Sequence, residues 1–196
     1  MKKVKVKIFA MVFALVSIIA SPLNVFASTT DAMDAKSTSE YVYIDQSGNE
    51  LIFPTAEDYE IYVKAHRSLQ PRYGEEWRLQ ETIAKSKLNH HFVGYHSGTP
   101  NWTKASSYTI ASGKNYSVGA SYPWQGVTLN IGFSYSFSVA TTIPADSSKY
   151  SRLGVYADYT LTQERYAEYL YGQPTGNTRV STYSNRTANY IDPKYQ

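Results

Sequence analysis

The chain has 196 residues, with 19 lysines and arginines against 16 acidic residues, 19 tyrosines and no cysteine. Without cysteine there is neither a disulfide framework nor thiol chemistry, so stability has to come from a buried core. The formal net charge of +3 is concentrated at one end: Lys2, Lys3, Lys5 and Lys7 lie in the first 27 residues, and beyond them 15 basic residues face 16 acidic ones. That leaves no basic patch and excludes nucleic acid as a partner.

The four lysines precede the apolar run IFAMVFALVSIIA (8–20) and the segment SPLNVFA (21–27). This basic, apolar, small-residue order predicts a signal peptide over 1–27, cleaved after Ala27, and a secreted protein. The apolar run is shorter than the roughly 17–25 residues of a spanning helix. A short lysine-rich leader on a cysteine-free chain suits a bacterium, and a Gram-positive one best.

Residues 28–40 show no apolar period and read as a flexible arm. Tyr41–Asp45 and Glu50–Phe53 are strand-like and joined by the polar turn QSGN, which predicts a hairpin. Pro54 ends it, Thr55 can cap a helix with Asp58 three positions on, and Tyr59, Tyr62, Val63 and His66 recur at helical spacing. Together they make a β-hairpin and helix unit over 41–70.

The stretch EEWRLQETIAKSKLNHHFVGYHSG (75–98) fits helix or strand, and the strand-like chain downstream favours strand. Beyond it, short alternating runs follow one another: Tyr108 and Ile110; Tyr116, Val118, Ala120 and Tyr122; then, after the turn PWQG, the run 127–139; and Leu153 to Leu161. QERYAEYLYG (163–172) fits helix or strand, and QPTGN (173–177) reads as a turn. The fold class expected is mainly β, with an antiparallel β-sandwich or barrel over 71–196 preceded by the small hairpin and helix unit.

One run stands apart. In VTLNIGFSYSFSV (127–139), Val127, Leu129, Ile131, Phe133, Tyr135, Phe137 and Val139 share one face, and the other face is Thr, Asn, Gly and Ser. No charged residue occurs anywhere in 115–145, although solvent-facing strands usually carry charges that discourage edge pairing. Three environments fit: a central sandwich strand, one arm of an amphipathic hairpin over 114–139 that inserts into a bilayer, or an assembly surface. At ~3.4 Å per residue the run would extend about 44 Å, longer than usual strands of ~3–10 residues. Gly132 is where it would divide.

Positive signs of catalysis are missing. The chain has no G-x-S-x-G elbow, no phosphate-cradling glycine loop and no H-E-x-x-H. His90, His91 and His96 are close in sequence, but they split between two strand faces and have no carboxylate among them. No metal site, cofactor or catalytic residue is therefore assigned. Asp146, Asp158, Glu164 and Glu168 are the acids nearest the β-rich region.

Trp77 is expected to pack, whereas Trp102 and Trp124, in predicted turns, join Tyr122 and Tyr135 as candidate binding residues. The reading favoured by aromatic content and export is a secreted, non-enzymatic protein that binds cell-wall polysaccharide or a membrane surface through exposed aromatic side chains. The alternative is a membrane-active toxin or bacteriocin-like protein inserting the 114–139 hairpin. A hydrolase without a recognisable motif comes third.

Overall fold

The computed structural model describes residues 33–66 and 74–196; the leader over 1–27 and the first part of the arm lie outside them. In chain order the elements are β1 (Met33–Ser37), β2 (Val42–Ile44), β3 (Glu50–Ile52), α1 (Ala56–His66), β4 (Glu75–Tyr95), β5 (Ser107–Ile110), β6 (Asn115–Val118), β7 (Ser121–Trp124), β8 (Val127–Asn130), β9 (Phe133–Phe137), β10 (Thr141–Pro144), β11 (Ser151–Leu170) and β12 (Gln173–Tyr195). The fold is mainly β and wholly antiparallel, with one short helix, as the alternation and turn spacing predict.

Its backbone is a ribbon of three long strands in the order β12-β11-β4, extended at the β12 side by β3 and β2. These strands have 23, 20 and 21 residues, so at ~3.4 Å per residue the ribbon runs roughly 70 Å. β11 and β12 are joined by Tyr171 and Gly172, both at positive φ (49° and 77°), the backbone of a tight type I′ hairpin turn. The turn expected over 173–177 therefore falls two residues earlier, and 173–177 belongs to β12. Both stretches that fitted helix or strand, 75–98 and 163–172, contribute to long strands, paired with each other from Gln163↔Ala84 to Leu170↔Glu75.

β11 explains why the molecule has two cores. Every register shift along the ribbon places the extra residue on an outer strand, for example Gln80, Ile83 and Val93 on β4 and Thr187 on β12. The side chains of β11 therefore alternate between faces without interruption. Leu153, Val155, Ala157, Tyr159 and Leu161 enter one core, together with apolar residues of the small sheets β1-β9-β6, β10-β5 and β7-β8. Tyr166, of opposite parity, enters a second core with Leu51, Phe53, Ile61, Tyr62 and Trp77. The two cores lie on opposite faces and towards opposite ends of the ribbon, and Trp77 packs as expected.

The arm predicted over 28–40 is a strand at Met33–Ser37, paired with β9 from Met33↔Phe137 to Ser37↔Phe133. An open strand edge accepts any segment with free backbone groups, and Met33 and Ala35 place apolar groups on the core side. Alternation over five residues was too short a signal to mark it.

α1 begins as its cap residues predict. The Asp58 N–H donates to Thr55 Oγ1 at 3.1 Å, and the Thr55 hydroxyl donates to Asp58 Oδ2 at 2.5 Å. The same Asp58 also fastens the helix to the ribbon, accepting the Thr182 N–H at Oδ1 (2.7 Å), while the Ser181 hydroxyl donates to its carbonyl (2.8 Å). Asp58→Ala removes the carboxylate that holds the Thr55 hydroxyl and strands a buried Thr182 N–H, so we expect a loss of about 2–3 kcal/mol in urea unfolding. Glu57→Ala, which breaks only the exposed pair with Arg179, should cost under about 1 kcal/mol.

Candidate functional site

Most of the charge-free segment, residues 115–137, is one hairpin lying on the ribbon. Its arms keep a constant register from Asn115↔Ser136 through Val118↔Phe133 and Ser121↔Asn130 to Trp124↔Val127, and the Ile131 N–H donates to the Ala120 carbonyl at 3.0 Å between the two paired segments. Gln125 and Gly126, at φ 50° and 80°, close the tip as a second type I′ turn.

The alternating run divides where its glycine stands. The Gly132 N–H turns to Asn130 Oδ1 at 2.9 Å. A Cβ at Gly132 would meet the Val118 carbonyl oxygen at 2.8 Å and the Gly119 Cα at 3.0 Å, so the arms approach too closely there for any side chain.

The two faces separate cleanly. Leu129, Ile131, Phe133, Tyr135 and Phe137 are at most 2% exposed and form the core against β11. Ser117, Ser121 and Thr128 are exposed on the opposite side, and Ser134 and Ser136 are half-buried beside β1. Val139 lies beyond β9 and is exposed, and Val127 is only partly covered at the tip. The shared apolar face therefore holds for the middle five of the seven positions.

Three polar groups mark the seat under the hairpin. The Tyr159 hydroxyl donates to the Ile131 carbonyl at 2.5 Å. The Arg186 guanidinium, 6% exposed, lies 4.6 Å from the Phe133 ring centroid, donates to the Ala35 carbonyl (2.8 Å) and pairs with Glu50 (3.0 Å). His96, 2% exposed, sits against rings from both arms, 4.3 Å from Tyr116 and 5.8 Å from Tyr135. Its Nδ1 accepts the Gly98 N–H at 2.8 Å, and its Nε2, like the Tyr135 hydroxyl, has no partner among the described residues. Burial lowers the His96 pKa and raises that of Tyr135 well above the ordinary phenol range.

The other aromatic surface lies on the reverse face of the ribbon. Phe92, Tyr156 and Tyr190 form a row across all three strands, continued by Tyr95 and Trp102, whose rings meet edge-on at 5.7 Å. The ring faces are already covered: Lys194 Nζ lies 3.6 Å over Phe92, Arg152 lies 4.1 Å over Tyr95, and His90 stacks on Tyr156 at 4.3 Å.

The four binding residues expected from sequence are thus not brought together. Trp102 is on this reverse face. Tyr122 and Trp124 pack beside the tip of the hairpin on the other face, Tyr122 edge-on to His91 at 5.3 Å. Tyr135 is 2% exposed and unavailable to a partner in this fold.

A cleft of about 530 Å³ between α1 and the ribbon is lined by Glu57, Trp77, Glu168 and Arg179 among others. Its carboxylates are engaged: Glu57 pairs with Arg179, and Glu168 Oε2 accepts from Thr175 Oγ1 (2.8 Å) and Asn177 Nδ2 (2.7 Å). Among the described residues no three His, Asp or Glu side chains cluster as metal ligands, and no helix is long and apolar enough to cross a membrane. No family model, curated protein or solved structure matches the chain.

Sequence reasoning missed β1 and Arg186, and it weighed His96 only as a metal ligand beside His90 and His91. An arginine or histidine between alternating runs carries no signal of burial; only the long-range pairing reveals it.

His96 makes the seat pH-sensitive. Its folded pKa lies below the ordinary 6.5, so between those two values the unfolded chain binds more protons and stability falls as pH drops below about 6.5. The rings packed on it are those of Tyr116 and Tyr135. Urea midpoints at pH about 7.5 and about 5 should therefore differ more for the native protein than for His96→Gln, which keeps an acceptor for the Gly98 N–H but cannot titrate.

Proposed function

We propose that this protein acts on membranes from outside the cell that exports it, by lifting the 115–137 hairpin from the ribbon and inserting it into a bilayer. The observation that carries this reading is the hairpin itself. Each arm of 115–124 and 127–136 gives ten residues in one unbroken register, within the ~9–11 that a tilted membrane strand requires. Neither arm nor its connection up to Ala145 holds a charge. A single Lys or Arg at the bilayer midplane would cost about 2–4 kcal/mol.

The apolar face is in a water-free medium before and after the movement, since lipid replaces the β11 side chains that covered it. The serine, threonine and asparagine face is wetted in the folded protein and would be wetted again in a lumen, as in membrane strands that alternate apolar-out and polar-in. Trp124 and Tyr122 near the tip are the residue types that settle at membrane interfaces. The leader pattern of 1–27 supports export.

Binding of a wall polysaccharide through aromatic rings ranks second. Trp102 and Tyr95 would be its platform, but Arg152 already occupies the face of Tyr95, so a sugar would first have to displace it.

The decisive experiment uses the close approach of β4 and β6. A Cβ built at Gly94 lies 3.8 Å from the Val118 Cβ, the mean separation of about 3.8 Å in disulfides. Gly94→Cys with Val118→Cys in this cysteine-free chain would pin the hairpin to the ribbon. Applied to dye-loaded phosphatidylcholine and phosphatidylglycerol vesicles, the oxidised variant should lose dye release and regain it on reduction. Equal release by both forms would overturn the reading.

A further inference from the structure

We infer that β1 is a displaceable strap, and that the β9 edge beneath it is the surface on which a second copy of this chain docks its β6 edge. This rests on the membrane reading and names the partner the hairpin needs. A lone hairpin in hydrocarbon leaves two rows of unpaired N–H and C=O groups, each costing several kcal/mol, and only closure into a barrel satisfies them. In the folded chain one of those rows is occupied and the other is open. β1 pairs with β9 over five positions, whereas the outer edge of β6 pairs with no strand among the described residues.

The chemistry of β1 says that it cannot accompany the hairpin. Asp34 and Lys36 are exposed and stand opposite Ser136 and Ser134, so insertion with β1 in place would carry two charges beside an arm that has none. The β6 edge of another copy is the better match. It brings only Asn115, Tyr116, Ser117 and Val118, with no charge to repel its neighbour and the same small polar and apolar alternation as the edge it joins.

The attachments of β1 fit a strap that peels away. Besides its ladder with β9 and the Ser134 hydroxyl on the Lys36 carbonyl, it is held by ribbon side chains that stay behind: Arg186 of β12 donates to the Ala35 carbonyl, and Glu50 of β3 accepts the Ser37 N–H at 3.1 Å. On the core side it contributes only Met33, 9% exposed, and the partly buried Ala35. Until β1 leaves, it guards the β9 edge against premature pairing.

The test locks or loosens the strap without touching the hairpin's apolar face. Asp34→Cys with Ser136→Cys links two directly paired, outward-facing positions, whose antiparallel spacing suits a disulfide. Met33→Asp weakens the strap by placing a carboxylate opposite Phe137. On the same vesicles, with chemical crosslinking to count copies, the oxidised pair should stay monomeric and lose dye release. The reduced pair should recover both oligomers and release, and Met33→Asp should act faster than the native chain. Release by the oxidised pair equal to that of the reduced pair, or release by uncrosslinkable monomers, overturns the strap while leaving the hairpin reading to the Gly94–Val118 lock. Failure of every form, Met33→Asp included, to release dye overturns the hairpin reading and this inference with it.

Discussion

The contact between one face of β11 and the apolar face of the hairpin holds the larger core together. Leu153, Val155, Ala157, Tyr159 and Leu161 meet Leu129, Ile131, Phe133, Tyr135 and Phe137, and all ten are buried. Each large side chain kept from water contributes about 1.5–3 kcal/mol, so this one interface is worth more than the whole net stability of a typical domain. Its strength depends only on exclusion of water. Under the proposed reading, lipid would exclude water from the same hairpin face in place of the β11 side chains.

The two ends of the ribbon contrast in how they are fastened. At the α1 end the attachments are directional: Asp58 to Thr182, Ser181 to Asp58, and the Tyr166 hydroxyl to Glu164 at 2.6 Å in the buried interior. Those bonds have no substitute in lipid. At the hairpin end, the Tyr159 hydroxyl on the Ile131 carbonyl is the single hydrogen bond between hairpin and ribbon among the described residues. The buried Tyr135 hydroxyl and His96 Nε2 have no hydrogen-bond partner among the described residues. One end is built for permanence. The other gives up little that is specific when it parts.

What the sequence revealed followed from period and composition. Alternation over 127–139 marked the buried face, Thr55 and Asp58 marked the start of α1, and Gly132 marked the break, because each of these is a local rule about backbone geometry. What it hid was long-range. Nothing in MDAKS announces that Asp34 lies opposite Ser136, and nothing around Arg186 announces that it is buried against Phe133. The aromatic candidates show the same limit. Tyr135 and Trp102 are alike in composition terms, yet strand parity sends Tyr135 into the core and the reverse face of the ribbon receives Trp102. Tyrosine content signals half-buried positions, and pairing decides which half is buried.

Charge placement adds the last step. The ribbon strands carry charges along their length: Lys85 and Lys87 on β4, Asp158 and Glu164 on β11, Arg186 on β12, and Asp192 and Lys194 near the C-terminus. The hairpin carries none, and neither does the short β5–β10 pair, whereas β1, laid along the hairpin, reintroduces two. A soluble sheet gains nothing from such an uncharged arm, because exposed serine-rich strands invite edge pairing. The proposed insertion would account for that hazard, since it takes the arm into a medium in which charge is costlier than exposure, and β1 covers the β9 edge in the folded chain.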